Sequence, residues 1–233
     1  MILVGIDDTD IAGSRGTNQL AKAVVRELPA GWRCLRIVRH QLLDDPRVPY
    51  TSKNGSASIA LVHNGEERPD RLLDVFRRVM RDEFIEGSDP GLCAATDVPP
   101  DVVEFGARCK TQLVTQDEAR RIAAAAEIPL EGLGGTNGGV IGALAAVGLA
   151  ATENDGRIVQ LGTRPDDLTG VHSVETIREL DVDVRDAATH TNITQGRVDI
   201  GKKLRPNLRN GRATLFVQPD AAGAADFAAL KLP

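Results

Sequence analysis

Two rhythms of apolar and polar positions run through this chain. Ile2 to Ile6 is a short, continuously apolar run, the pattern of a strand covered on both faces, and it ends on a cluster of acids. After the loop Ala12 to Gly16, Leu20, Val24, Val25 and Leu28 recur at helical spacing, with Thr17 placed as N-cap and Pro29 beyond the far end. Arg33 to Val38 and Ser56 to Val62 read as strands, and Leu72, Leu73, Val75, Phe76, Val79 and Met80 form the buried stripe of a second helix. The order is βαββα, and a strand near Val102 to Phe105 would complete a split-βαβ, ferredoxin-like βαββαβ unit.

Further on, Thr115 and Glu118 form a capping box for a helix through Ala126, and the glycine-rich stretch Gly132 to Gly139 leads directly into a helix from Val140 to Leu149. A strand near Arg157 to Leu161, a helix starting at Ser173 and a strand at Ala213 to Val217 follow. The predicted fold class is therefore α/β (α+β), with a ferredoxin-like unit over residues 1–112 and a second α/β unit over 113–233. No repeat or low-complexity linker marks the boundary.

Composition narrows the function. With 42% apolar residues over 233 positions the chain can bury a sizeable core. No run approaches the ~18 apolar residues of a membrane span and no basic segment leads a long apolar one, so a soluble, cytoplasmic protein without membrane partners is expected. Cys34, Cys93 and Cys109 have neither disulfide nor zinc-ribbon spacing and read as reduced core residues, so zinc is not expected. A net charge of -5 and 3% aromatic residues disfavour nonspecific nucleic-acid binding, though the basic run Arg197, Lys202, Lys203, Arg205, Arg209 and Arg212 is either a solvated face or a phosphate contact.

The candidate chemistry begins at Asp7, Asp8 and Asp10, three carboxylates at a strand's C-terminal end, whose repulsion a divalent cation would relieve. Magnesium suits them, since it takes one or two carboxylates and completes its shell with water and phosphate oxygens. The alternative is a solvated turn. Gly16-Thr17 opens a helix whose free amides could face a phosphate, with Thr17 either touching it or only capping. Lys53 and Asn54 sit in a turn that is either a hairpin loop or a ligand contact. Gly134, Gly135, Asn137 and Gly138 are either a phosphate cradle or a tight connection into the next helix. His40, His63, His172 and His190 lack metal-ligand spacing and read as structural.

In order along the chain, Gly5-Ile6-Asp7-Asp8-Thr9-Asp10, Gly16-Thr17, Val48-Pro49-Tyr50, Lys53-Asn54-Gly55, Asp89-Pro90-Gly91-Leu92 and Asn137 to Gly148 resemble the archaeal tRNA-isoleucine agmatidine synthetases. The likeness runs from residue 2 to about residue 217 and matches that family's N-terminal half, an unusual kinase domain plus a ferredoxin-like domain. It implies an ATP-dependent reaction in which phosphoryl transfer activates a ring carbonyl of cytosine and agmatine displaces it. By position it implies that Asp7, Asp8 and Asp10 bind magnesium and ATP, and that Thr17 takes part in phosphoryl transfer. Family members continue into an oligonucleotide-binding fold and a zinc ribbon, and these 233 residues carry neither.

The leading expectation is thus an ATP- and magnesium-dependent ligase or kinase acting on a small molecule and an amine. A tRNA-modification subunit that relies on a partner for tRNA is the alternative, and a nonenzymatic nucleotide-binding module the second. A homodimer is compatible with any of these.

Overall fold

The structure is a computed structural model that describes residues 1–11, 13–48, 54–65, 69–164 and 168–232. Its first half runs β1 (Ile2–Asp7), α1 (Thr17–Arg26), β2 (Trp32–Gln41), β3 (Gly55–His63), α2 (Pro69–Asp82), β4 (Gly91–Ala95), α3 (Pro100–Arg108) and α4 (Gln116–Ala125). It continues with β5 (Leu130–Gly132), α5 (Val140–Ala151), β6 (Arg157–Leu161), β7 (Val171–Ser173), α6 (Val174–Glu179) and β8 (Val182–Asp186). Four strands close it: β9 (Arg197–Asp199), β10 (Asn207–Arg209), β11 (Arg212–Pro219) and β12 (Phe227–Ala229).

The ferredoxin-like unit is present: β4, β1, β3 and β2 lie side by side in that order, with β3 antiparallel to both its neighbours and β4 antiparallel to β1. Its last strand is β4, not the expected Val102 to Phe105, which lies in α3. Pro100 is pre-set for a helix's first turn, and Val102, Phe105 and Cys109 then fall on one buried face at helical spacing. The fully buried Gly-Leu-Cys-Ala-Ala of β4 is short and small, a weak strand signal that only pairing with β1 and β5 resolves.

Each face of this sheet has its own core. On one, Leu20, Ala21 and Val24 of α1 meet Leu72, Phe76 and Met80 of α2 over Val4, Ile37 and Ile59. On the other, α3, α4 and α5 pack Val102, Phe105, Ile122, Ala143, Leu144 and Val147 against Leu3, Ala60 and Cys93. Residues on both sides of 112 build this second core, so a division there is one of sequence more than of packing. Beyond β2 the sheet continues through β6, β10, β11, β12, β9 and β7, with β8 beside β11. Val174, Ile177, Val184, Leu208, Leu215 and Val217 form a third core there.

The helix that positions the site is α5. Its sequence is apolar all round and nearly every residue is buried, as expected of a helix enclosed by protein. Its small side chains allow an unusually close approach to β1: a Cβ added at Gly5 would stand 2.0 Å from the carbonyl oxygen of Ala143. Gly5→Ala is therefore expected to force α5 off the sheet and cost ~1–3 kcal/mol or more, read as a lower urea midpoint at unchanged slope. An unchanged midpoint would show that the helix shifts freely.

Candidate functional site

The end of β1, the first turn of α1, the loop after β2 and the glycine-rich loop before α5 surround a pocket of about 310 Å3. Asp7, Asp8, Asp10, Thr17, Asn54 and Gly138 line it, so six of the residues singled out from the sequence meet in space. Asp89, Thr136 and Gly142 join them, and Leu42, Leu43, Leu113, Val114 and Ile141 give the pocket an apolar side.

Asp7 leaves the end of β1 pointing at the first turn of α5, where a Cβ at Gly142 would lie 1.7 Å from its Oδ2. Asp8 follows with φ 50, a left-handed backbone that an aspartate tolerates better than most residues and that turns its carboxylate toward Gly138. The Asp89 backbone N–H donates to the carbonyl of Asp8 at 3.1 Å, and the Asp89 carbonyl accepts from Gly139 at 2.9 Å. Its carboxylate accepts from the Thr136 backbone N–H and from the Thr136 hydroxyl at 2.8 Å. Asp89 thereby pins the glycine-rich loop to the acid loop.

Burial first and the charges of Asp8 and Asp10 after it push the Asp7 carboxyl up to about 7, against a backbone hydrogen bond at Asp8 and the attraction of Arg39. Asp8 is pushed up to about 6, by burial and then by Asp89 and Asp10. Crowded acids that hold protons near neutrality are what a cation would discharge. Among the described residues, however, no three His, Cys, Asp or Glu side chains are arranged to enclose a metal ion.

Thr17 departs from its expected role. Gly16 occupies the N-cap position without a side-chain bond, and Thr17 is the first residue of α1, buried. Its hydroxyl donates to Asp10 Oδ1 at 3.1 Å and accepts from the buried Thr9 hydroxyl at 3.2 Å. The side chain is turned to the acids, not back to the helix amides.

Other expectations resolve differently. Gly16 does not line the pocket, and neither do Gly134, Gly135 or Asn137. A Cβ at Gly134 would meet the Phe84 ring at 2.6 Å, and one at Gly135 would meet Asp89 Oδ1 at 1.9 Å, so both are small because the loop packs tightly. Asn54 lines the pocket while its side-chain amide donates to the Leu43 carbonyl at 2.8 Å. Lys53, Pro49 and Tyr50 lie outside the described residues. His40 is fully buried, its Nδ1 2.8 Å from Asp155 Oδ1 and its Nε2 2.8 Å from Ser58 Oγ, a structural clamp. All three cysteines are free and buried.

The raised acids make a stability prediction for the cation-free protein. Between the unfolded carboxylate range near pH ~4 and the folded values, the folded state holds protons that the unfolded chain has released. The contribution of Asp7 and Asp8 to stability is therefore expected to fall as pH rises from ~4 to ~7, against an opposite contribution from the buried His40, whose value burial lowers, and Asp7→Asn is expected to raise the melting temperature at pH 8. Melting curves in chelator check this; a variant no more stable than the parent at pH 8 would contradict it.

Neither a protein-family model nor a curated protein sequence matches the chain. Solved structures do. A tRNA fluorescent labeling enzyme is 30% identical with a TM-score of 0.50, over 63% of this chain and 35% of that one. The apo form of TiaS, a tRNAIle2 agmatidine synthetase, is 26% identical with a TM-score of 0.51, again over 63% of this chain and 35% of its own. The chain thus spans about a third of the length of these proteins. It shares their mixed α/β fold, and the extent of the match agrees with a resemblance to the N-terminal half of the agmatidine synthetases.

Proposed function

We propose that this chain is an ATP- and magnesium-dependent enzyme. Its reaction activates a carbonyl or carboxylate oxygen of a small molecule, by phosphoryl or nucleotidyl transfer, for attack by an amine. One observation carries the reading: raised carboxylates, the Thr17 hydroxyl bonded to Asp10 and the first turn of α5 all face one pocket with an apolar side. Acids held partly protonated would release those protons to water when a cation takes their place. The N-terminus of α5 then offers a favourable dipole to phosphate oxygens.

Asp7 and Asp8, with Asp10 beside them, would hold magnesium, which supplies charge neutralisation at the phosphates when bound. Two well-placed carboxylates suffice, because phosphate and water fill the remaining positions. Asp10 accepts a hydrogen bond from the Thr17 hydroxyl and so orients it, and the Leu42, Leu43 and Ile141 side keeps water from the reacting groups. The second reading is a tRNA-modification subunit working with a partner, favoured by the likeness to two tRNA enzymes. Incubation with ATP, magnesium and panels of amines, small acceptors and RNAs separates the two.

ATP is expected to bind only with a divalent cation and to be lost in Asp8→Asn. Calorimetry in excess chelator tests this, and undiminished binding there would remove the cation from the reading.

Thr17 gives a sharper test, because it is not the cap of its helix. Thr17→Val keeps the shape and loses the hydroxyl, at ~1 kcal/mol of stability for the missing hydrogen bonds. ATP turnover should nevertheless fall at least ~100-fold, whereas Thr17→Ser keeps much of it. Turnover that follows melting temperature across the series would leave Thr17 with a packing role only.

A further inference from the structure

The register of the sheet sets basic residues in a row that the pocket does not use. Arg39 of β2 lies directly opposite Arg157 of β6, and Arg157 lies opposite Asn207 of β10. Arg205 adjoins Pro206, whose carbonyl accepts from the Ile158 backbone N–H at 2.8 Å, and its charge reaches Arg157. Like charges directly across an antiparallel pair are destabilising. Here the cost is visible: burial, and then the charges of Arg39 and Arg205, hold the Arg157 guanidinium below its usual range. Its Nε is buried without a hydrogen-bond partner.

The row has a direction. At one end, a Cβ at the pocket-lining Gly55 would lie 2.6 Å from Arg39 Nη2, and Arg39 is near enough to Asp7 and Asp10 to feel both charges. At the other end, Arg205 lines a groove of about 480 Å3 together with Lys202, Lys203 and Lys231, over a floor that includes Ile200 and Leu215. This concentration of positive charge sits in a chain of net charge -5.

We propose that Arg39, Arg157 and Arg205, continued by Lys202, Lys203 and Lys231, form a track for a linear chain of phosphates running from the acid pocket to the basic groove. Guanidiniums are the fitting groups, since each offers a planar fork of donors to a phosphate, and a row of phosphates would cancel the repulsion between Arg39 and Arg157. The track rests on the nucleotide-using reading of the pocket only for its starting point. Its own anion binding is measurable without ATP or metal.

Two probes share the chemistry: inorganic tripolyphosphate and a short uridine oligonucleotide, each titrated into the full chain in chelator across a salt series. Binding is expected to weaken about tenfold in Arg157→Gln and in Arg205→Gln, with no fall in melting temperature, because Arg157→Gln also removes the repulsion with Arg39. For the oligonucleotide, the slope of log affinity against log salt should fall by ~0.7 for each lost phosphate contact. Should Arg157→Gln fail to fold, the surface pair Lys202→Gln with Lys231→Gln is read instead. Oligonucleotide binding alone would identify a nucleic-acid strand as the ligand, and tripolyphosphate binding alone a short phosphate chain. Asp8→Asn separates the two readings, because it should remove ATP binding and leave the track's affinity no weaker. If neither probe binds, or if both bind the variants as tightly as the parent, the track is overturned.

Discussion

The contact between the Asp7 carboxylate and the first turn of α5 constrains everything else in the site. It exists because α5 lies almost against the backbone of β1, with no room for a Cβ at Gly5 and none at Gly142. Only a helix of small, apolar residues can be enclosed at that distance, and that is the composition of Val140 to Ala151. The approach brings the amides of a helix N-terminus to the end of a strand that carries three acids. What offsets part of the burial of Asp7 is a backbone hydrogen bond at Asp8 and the charge of Arg39.

The glycine-rich loop follows from the same geometry. To enter α5 beside β1 the chain must pass between the acid loop and the turn before β4. Asp89 fixes that passage through Thr136, Gly139 and the Asp8 carbonyl. Gly134 and Gly135 are small to clear Phe84 and Asp89, so their role is to let the loop close and only Gly138 and Thr136 face the pocket. Asp89 serves as the staple, its side chain accepting two hydrogen bonds from Thr136, while burial raises Asp7 and Asp8.

How much of this could be read from the residues depended on whether the signal was local. The unbroken apolar run of β1, the helical stripe of α2 and the Thr115 cap are short-range patterns, and each stands where the sequence placed it, with Thr115 accepting from the Glu118 backbone N–H. The unit's last strand is expected at α3 because Val102 and Phe105 suit either a strand or a helix taken alone, and the deciding facts are Pro100 and the pairing of β4 across the sheet. At the site, the acids and Thr17 were legible as a run of chemistry after a strand. Asp89 was visible only as part of the resemblance, since a lone acid before Pro90 carries no local signal. Arg39 and Arg157 are 118 positions apart by number and face each other only through register.

The polarity of the hydroxyls around Thr17 divides the work among the acids. A threonine hydroxyl has one proton to give, and an ionised carboxylate can only accept. If Thr17 donates to Asp10, its oxygen must receive from Thr9, which is the arrangement observed. Asp10 Oδ1 then accepts the Thr17 hydroxyl's hydrogen bond, while Asp7 Oδ2 and Asp8 Oδ2 face Gly142 and Gly138. Two acids aimed at a helix N-terminus and one aimed at a hydroxyl amount to separate electrostatic tasks inside one pocket. The turn at Asp8, with its left-handed backbone, is what lets neighbouring residues point in both directions, which gives a physical reason for the strain at that position.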